Sequence, residues 1–282
     1  MPQPIPGEIQ NMRISVIGPV LNEVEWIGYS IMAALPIVHE FIYALDEKSE
    51  DGTRELLQHL QKQSVPVKII DTPNFHPSDT KAYNAAFNVC IEAMTGDVAW
   101  FLHPDMLVTK RAELEEGPLA WTVNVTSYAK DFRTVISKGR CTQWKNLHAN
   151  KFGLQYLGAY GSSNEDFYHT QITGNSLRHY GTEFSKYPFE VATSGINVAH
   201  FCELKPYKRR LEKMKLCLKT QHPGAVEERI DEMAFQHPRV TLESSSNQFG
   251  EFVFSEATEP VPEVFSKYKA EFEPFVKELV YG

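Results

Sequence analysis

The sequence predicts an α/β fold, a mostly parallel sheet flanked by helices with a less regular second half. Three observations carry this expectation. Apolar runs of strand length alternate with segments of helical period through the first hundred residues, the pattern of strands joined by right-handed crossovers. Turn residues or acids close each run, at Gly18-Pro19, Asp46-Glu47 and His103-Pro104-Asp105. The 282 residues, 42% hydrophobic and 23% charged, suit one large globular domain or a domain with a sizeable addition.

Taken in order, residues 1–12 hold three prolines and little periodicity, and are expected as an extended arm. Residues 13–17 read as a first strand stopped by Gly18-Pro19. Asn22 and Glu23 then open a helix with Trp26, Ile27, Ile31 and Leu35 at helical spacing. A second strand, 40–45, ends in Asp46, and Ser49 or Asp51 can cap the helix through Arg54, Leu56, Leu57 and Leu60. Residues 65–70 read as a third strand and 80–94 as a helix. The fourth strand, 98–102, ends abruptly: Pro104 cannot continue a central strand, so Asp105 emerges at its carboxyl end. Open α/β sheets bind ligands at that edge.

Residues 121–126 form a candidate strand, and 153–181, rich in Gly, Asn, Ser, His and Tyr, read as a long functional loop region. A further strand over 195–201 ends near His200. Pro206 opens a basic helix with Tyr207, Leu211, Met214 and Leu218 on its apolar face. Residues 244–248 read as a loop and 262–280 as a final helix.

Composition excludes some functions. A net charge of −8 has the wrong sign for a protein whose affinity comes mainly from nucleic-acid phosphates, which leaves nucleic acid as an unfavoured partner. No run reaches the roughly 18 apolar residues of a membrane helix, and the first residues lack the pattern of a signal peptide. The expectation is a cytoplasmic, soluble protein. Cys90, Cys141, Cys202 and Cys217 show no CxxC spacing and read as reduced, mostly buried thiols.

Four segments in sequence order carry a family resemblance. Ile14 through Glu23 resembles the opening strand and turn of glycosyltransferase family 2, inverting enzymes of the GT-A, Rossmann-like fold. Asp46 through Thr53 resembles its acidic turn after the second strand. Lys81 through Asn88, with Ile91 through Asp97, resembles its helix before the metal strand, and Phe101 through Asp105 falls on its DxD segment. The resemblance covers residues 13–108. It implies a nucleotide-sugar-binding half over 13–110, an acceptor-side half over 111–204 and a C-terminal helical extension over 205–282. The absence of GxGxxG after the first strand counts against a dinucleotide-binding dehydrogenase.

The resemblance implies a UDP-sugar donor, Mn2+ or Mg2+, and inversion. Pro19, Asn22 and Glu23 would contact nucleotide, and Asp46 would meet base or ribose. Lys81 is a candidate phosphate contact; it also fits a solvated helix lysine. Asp105 and His200 would hold the cation. His103 replaces the first DxD acid, and it can ligate metal or hydrogen-bond ribose. Imidazole suits manganese, whereas magnesium prefers oxygen. Lys205, nearest His200 in a basic run, is the candidate diphosphate contact; the other basic residues there read as a solvated helix face.

Glu165 and Asp166, adjacent acids in a polar loop, are the candidate general base, with Tyr160, Tyr168 and His169 as candidate acceptor contacts. The acceptor is not legible: a small molecule, glycan, protein or modified nucleobase all fit. The rival readings are an inactive nucleotide- or glycan-binding module, favoured by His103, and a nucleotidyltransferase, disfavoured by the lack of a Gly- and Arg-rich loop after the first strand.

Overall fold

The computed structural model describes residues 12–75, 79–114, 116–138, 143–150, 153–157, 166–169, 191–222, 224–247 and 250–257. Four strands form a parallel block in the order β4–β1–β2–β3: β1 (Ile14–Val20), β2 (Glu40–Asp46), β3 (Val67–Thr72) and β4 (Val98–Trp100). Helices α1 (Ile27–Ala34), α2 (Thr53–Lys62) and α3 (Thr80–Ala93) connect them. The expected crossovers are therefore present. β1 and β2 are buried almost end to end, as strands covered on both faces must be.

β1 continues past Gly18-Pro19, where the sequence suggested a stop. β4 pairs only with Ile14–Val16, so from Ile17 onward one edge of β1 carries no strand, and the N–H that Pro19 lacks is not needed there. Gly18 lets the strand lie against Phe101, because a Cβ at that position would stand 3.1 Å from the Phe101 ring. Asn22 and Glu23 precede α1 rather than opening it: the Glu23 carbonyl accepts from the N–H groups of Trp26 and Ile27. The start of α2 needs the left-handed backbone of Gly52 (φ 91°), while the Asp51 carboxylate accepts from the Thr53 and Val24 N–H groups.

Beyond β4 the sheet turns largely antiparallel through β5 (Met106–Lys110), β6 (Ala120–Ala129), β7 (Thr134–Lys138) and β8 (Gln143–Ala149). β11 (Val191–Glu203) runs parallel to β6 and antiparallel to β5. β6 is antiparallel to β8, and β8 to β4, so β11 ends at the same edge as β1, β2 and β4. β11 is longer than the sequence suggested, and β5, β7 and β8 were not foreseen.

A separate hairpin pairs β9 (Leu154–Leu157) with β10 (Asp166–His169). Asp166, Tyr168 and His169 thus lie in a strand, where the sequence suggested loop. Asn88 on α3 anchors the hairpin by bonding both the N–H and the carbonyl of Tyr156, whose ring stacks on Phe87 at 3.9 Å.

After residue 205 come α4 (Tyr207–Gln221), α5 (Glu227–Phe235) and the short α6 (Pro238–Thr241), packed on Met214, Leu218, Ile230, Ala234 and Val240. The extension is not wholly helical. β12 (Ser245–Asn247), where a loop was expected, and β13 (Gly250–Glu256) return to the sheet through β7. The arm over 1–11 and the helix expected over 262–280 lie outside the described residues. Among the described residues no helix is long and apolar enough to cross a membrane.

Candidate active site

The carboxyl edge of the sheet gathers three distant segments: the turn after β1, the turn after β4 and the end of β11. β4 ends at Trp100, and Phe101 to Asp105 form an irregular passage before β5. The Phe201 N–H donates to the Asp105 carbonyl at 2.9 Å, which locks this turn to β11. The Asp105 and His200 side chains consequently meet, with Oδ1 and Nε2 3.3 Å apart and both buried. A strand-end aspartate and a strand-end histidine, 95 positions apart in the chain, are brought together as the sequence suggested.

Lys205, just beyond β11, completes the group. Its ammonium lies 3.1 Å from Asp105 Oδ2 and donates to both Glu23 carboxylate oxygens at 2.9 Å. Lys205 is only 5% exposed, so this is a buried carboxylate–ammonium–carboxylate bridge. Burial pushes the Asp105 carboxyl up, but Lys205, His200 and Lys213 outweigh it and hold the group well below the usual carboxylate range. For Lys205 burial acts downward, and Asp105 and Glu23 override it, raising the ammonium above its ordinary value. Burial raises Glu23, and Lys205 only partly offsets this. Of the two carboxylates, Glu23 accepts a proton first.

The other expected site residues have the following surroundings. Glu23, read as a nucleotide contact or a helix acid, clamps Lys205 through both carboxylate oxygens. Asp46 is fully buried at the end of β2, and its oxygens accept from the Lys48 and Phe75 N–H groups at 2.8 and 2.9 Å. Those bonds brace the loops at this edge. Asn22 accepts from the Glu50 N–H at 2.9 Å, and its carbonyl accepts from the Arg209 guanidinium. Pro19 pairs with Ala44 near the end of β1. Lys81 is exposed in the first turn of α3, outside the buried group.

His103 packs on the Phe101 ring at 4.2 Å, with its own ring 5.9 Å from that of His200. Among the described residues, the buried group able to hold a metal is Asp105, His200 and Cys202, whose ligand atoms all lie within 4.8 Å of one another. His103 is not in this group. Cys202 was missed. Alternation along a strand puts residues two apart on one face, and that signal could have found it beside His200.

Glu203 and Arg239 lie next to it. The Cys202 thiol donates to Glu203 Oε1 at 3.1 Å, while Arg239 contacts the Cys202 sulfur at 3.0 Å and Glu203 at 2.5 Å. Burial and Glu203 push the Cys202 thiol up, yet Lys213, Arg239 and His200 bring it down to about 6.

The basic helix is not mainly a solvated face. Lys215 pairs with Asp231 and Lys219 with Glu227, which ties α4 to α5. Arg210 donates to the carbonyls of Lys205 and Val240, and Arg209 pairs with Glu25 at 3.6 Å. Glu165 and Tyr160 lie outside the described residues.

The donor set fits a divalent cation of borderline character. Asp105 Oδ1 and His200 Nε2 are close enough to serve one ion, while Lys205 balances the second carboxylate oxygen. A set with a single carboxylate oxygen and an imidazole suits manganese better than magnesium.

Comparison with known proteins follows the same lines. The profile described as Glycosyl transferase family 2 matches residues 15–190, more than half of the chain. No curated protein sequence matches significantly. Among solved structures, S. aureus TarS 1-349 in complex with UDP is similar at 13% identity, over 79% of this chain and 70% of that one, with a TM-score of 0.35. Glucosyl-3-phosphoglycerate synthase from Mycobacterium tuberculosis, solved with Mn2+, UDP and glucosyl-3-phosphoglycerate, is similar at 19% identity, with a TM-score of 0.28. That match covers 42% of this chain and 44% of the synthase.

Proposed function

The chain belongs to glycosyl transferase family 2, and on that premise we propose that it moves a sugar from a nucleotide-diphosphate donor, a UDP-sugar, to an acceptor hydroxyl. The observation that carries this reading is the convergence of Asp105, His200 and Lys205 in one buried group at the carboxyl edge of the sheet.

The leaving group of such a transfer is a nucleoside diphosphate, and charge builds on it as the glycosidic bond breaks. Fixed positive groups in a water-poor site stabilise that charge without reorganising. Lys205 supplies one. Its two carboxylate partners hold the ammonium in place, and the Arg209 bond to the Asn22 carbonyl fastens the β1 turn beside it. Asp105 and His200 would hold the divalent cation, which when bound supplies further charge for the diphosphate. Asp46 orders the wall of the nucleotide subsite through its backbone bonds.

The general base is Glu165 or Asp166, adjacent acids in the sequence, of which Asp166 begins β10. A base on the opposite side of the sugar from the diphosphate gives inversion, the outcome expected of the family. The acceptor is any hydroxyl that this side admits.

Hydrolysis of a panel of sugar nucleotides without acceptor, with and without manganese, tests the proposal. The expected result is slow, UDP-selective release of diphosphate that Asp105→Asn abolishes. Binding of nucleotide with no turnover of any donor, with or without candidate acceptors, would leave a nucleotide-binding module instead.

A further inference from the structure

Cys202 has no part in the transfer as described, yet it is placed where the cation would sit. We propose that Cys202 is the third protein ligand of this site, making it an Asp–His–Cys centre for a thiophilic divalent cation of the zinc or cobalt class. The inference rests on the reading of Asp105 and His200 as the cation pair.

The geometry points there from three directions. Asp105, His200 and Cys202 each offer one ligand atom, all within 4.8 Å of one another, and all three residues are buried. His200 and Cys202 stand two positions apart near the end of β11, while the bond from the Phe201 N–H to the Asp105 carbonyl fixes the third ligand against the same strand. One strand thus supplies two ligands, and a backbone bond registers the third.

Chemistry narrows the cation. One carboxylate oxygen, one imidazole and one sulfur form a mixed, partly soft set. Magnesium demands near-octahedral oxygen coordination and is poorly served by it. Zinc accepts S, N and O donors together, and catalytic zinc sites combine three protein ligands with one open position. In this chain the open position would take a diphosphate oxygen of the donor.

The surroundings suit a bound thiolate. Arg239 already directs Nη2 at the Cys202 sulfur at 3.0 Å, and Glu203 holds that guanidinium. Hydrogen bonds of this kind orient metal ligands and tune them. On coordination the thiol proton leaves to solvent, the contact from sulfur to Glu203 loses its hydrogen, and Glu203 stays on Arg239. Lys205 keeps Asp105 Oδ2 occupied, so the carboxylate presents only Oδ1 to the ion.

The test is cobalt titration of the chelator-stripped full chain, read by absorbance. Visible d–d bands report a bound ion in an asymmetric site, and a near-ultraviolet thiolate-to-cobalt charge-transfer band reports sulfur ligation. The wild type should show both. Cys202→Ser should keep weakened d–d bands, with affinity lower by about tenfold or more, and lose the charge-transfer band. A chain with Cys141→Ser and Cys217→Ser should retain it. Zinc should displace the cobalt and millimolar magnesium should not. Should Cys202→Ser fail to fold, the retained band in the Cys141→Ser/Cys217→Ser chain together with its loss in His200→Ala decides the question. Visible bands without charge transfer in the wild type, a charge-transfer band surviving in Cys202→Ser, or displacement by magnesium would each overturn the Cys202 assignment while leaving a cation at Asp105 and His200. Absence of any cobalt spectrum would overturn both.

Discussion

Replacing Lys205 by Met removes the ammonium that lies between the Glu23 and Asp105 carboxylates. In the native chain Nζ is 2.9 Å from both Glu23 oxygens and 3.1 Å from Asp105 Oδ2, and the Asp105 side chain is 3% exposed. Breaking one partner out of a buried ion pair costs about 3–5 kcal/mol, because the remaining charge is left without compensation. Glu23, with 18% of its side chain exposed, can turn partly to water, so a loss of about 3 kcal/mol at pH 8 is expected. In a chain of this size that corresponds to a fall in Tm of roughly 6–12 °C.

The loss carries a pH signature. In the variant both carboxyls lose Lys205, so both folded pKa values rise: Glu23, already raised by burial, moves further up, and Asp105 keeps only His200 and Lys213 against its burial. The penalty is absent at low pH and grows as pH rises above the ordinary carboxylate range. In the wild type Asp105 is depressed, and its contribution is present at neutral pH and lost as pH falls. The first effect makes the difference between the two chains smaller at pH 5 than at pH 8, while the wild-type Asp105 contribution is still intact at pH 5 and is lost only below the ordinary carboxylate range. Urea denaturation at the two pH values measures it. Adding Glu23→Gln to the variant should restore at least about 1 kcal/mol, since it removes one of the two stranded charges. A deficit below about 1 kcal/mol at pH 8, equal at pH 5 and unchanged by Glu23→Gln, would refute the claim that Lys205 is a buried bridge.

Two further outcomes follow from the same geometry. Glu165→Gln, Asp166→Asn and the double variant should together identify the base: turnover should fall by about a hundredfold or more in at least the double variant, with UDP-sugar affinity nearly constant. Wild-type turnover in all three would place the base elsewhere. His237 caps α6 by accepting from the Arg239 N–H at 3.2 Å, and burial with Arg239 lowers its pKa to about 4. A depressed histidine leaves stability intact above its unfolded pKa and loses it as pH falls toward the folded value. About 1–2 kcal/mol should therefore be lost between about pH 6.5 and pH 4. His237→Asn keeps a cap acceptor and should remove that component of the pH dependence; an unchanged profile would contradict it.

The parallel block was legible because β1, β2 and β4 are buried, mostly apolar runs and β1, β2 and β3 are each followed by a helix. Asp105, His200 and Lys205 were legible for a related reason: they stand where an apolar run stops, and strand ends in such sheets share an edge. What joins them was not legible. Glu23 and Lys205 lie 182 positions apart, and nothing local in either segment encodes the bond. Arg239 sits in a four-residue helix, 36 positions from the Glu203 it holds, with no pattern to mark it. β5 was hidden because its five residues follow the Asp105 turn at once, without a loop signal between. The β7–β13 pairing is an antiparallel contact between exposed, alternating segments, and either could pass for loop. The basic run of α4 suggested a solvated face because its acidic partners come from α5 and from the turn before α1 rather than from α4 itself.

The most direct test of the central claim is calorimetric titration of UDP into the wild type and Asp105→Asn, each with a divalent cation and with chelator. The account predicts that the cation strengthens UDP binding to the wild type and that Asp105→Asn, still folded, loses at least about tenfold of that cation-dependent affinity, roughly 1.4 kcal/mol. Cation-dependent affinity equal in the two chains would remove Asp105 from the diphosphate site and contradict the account.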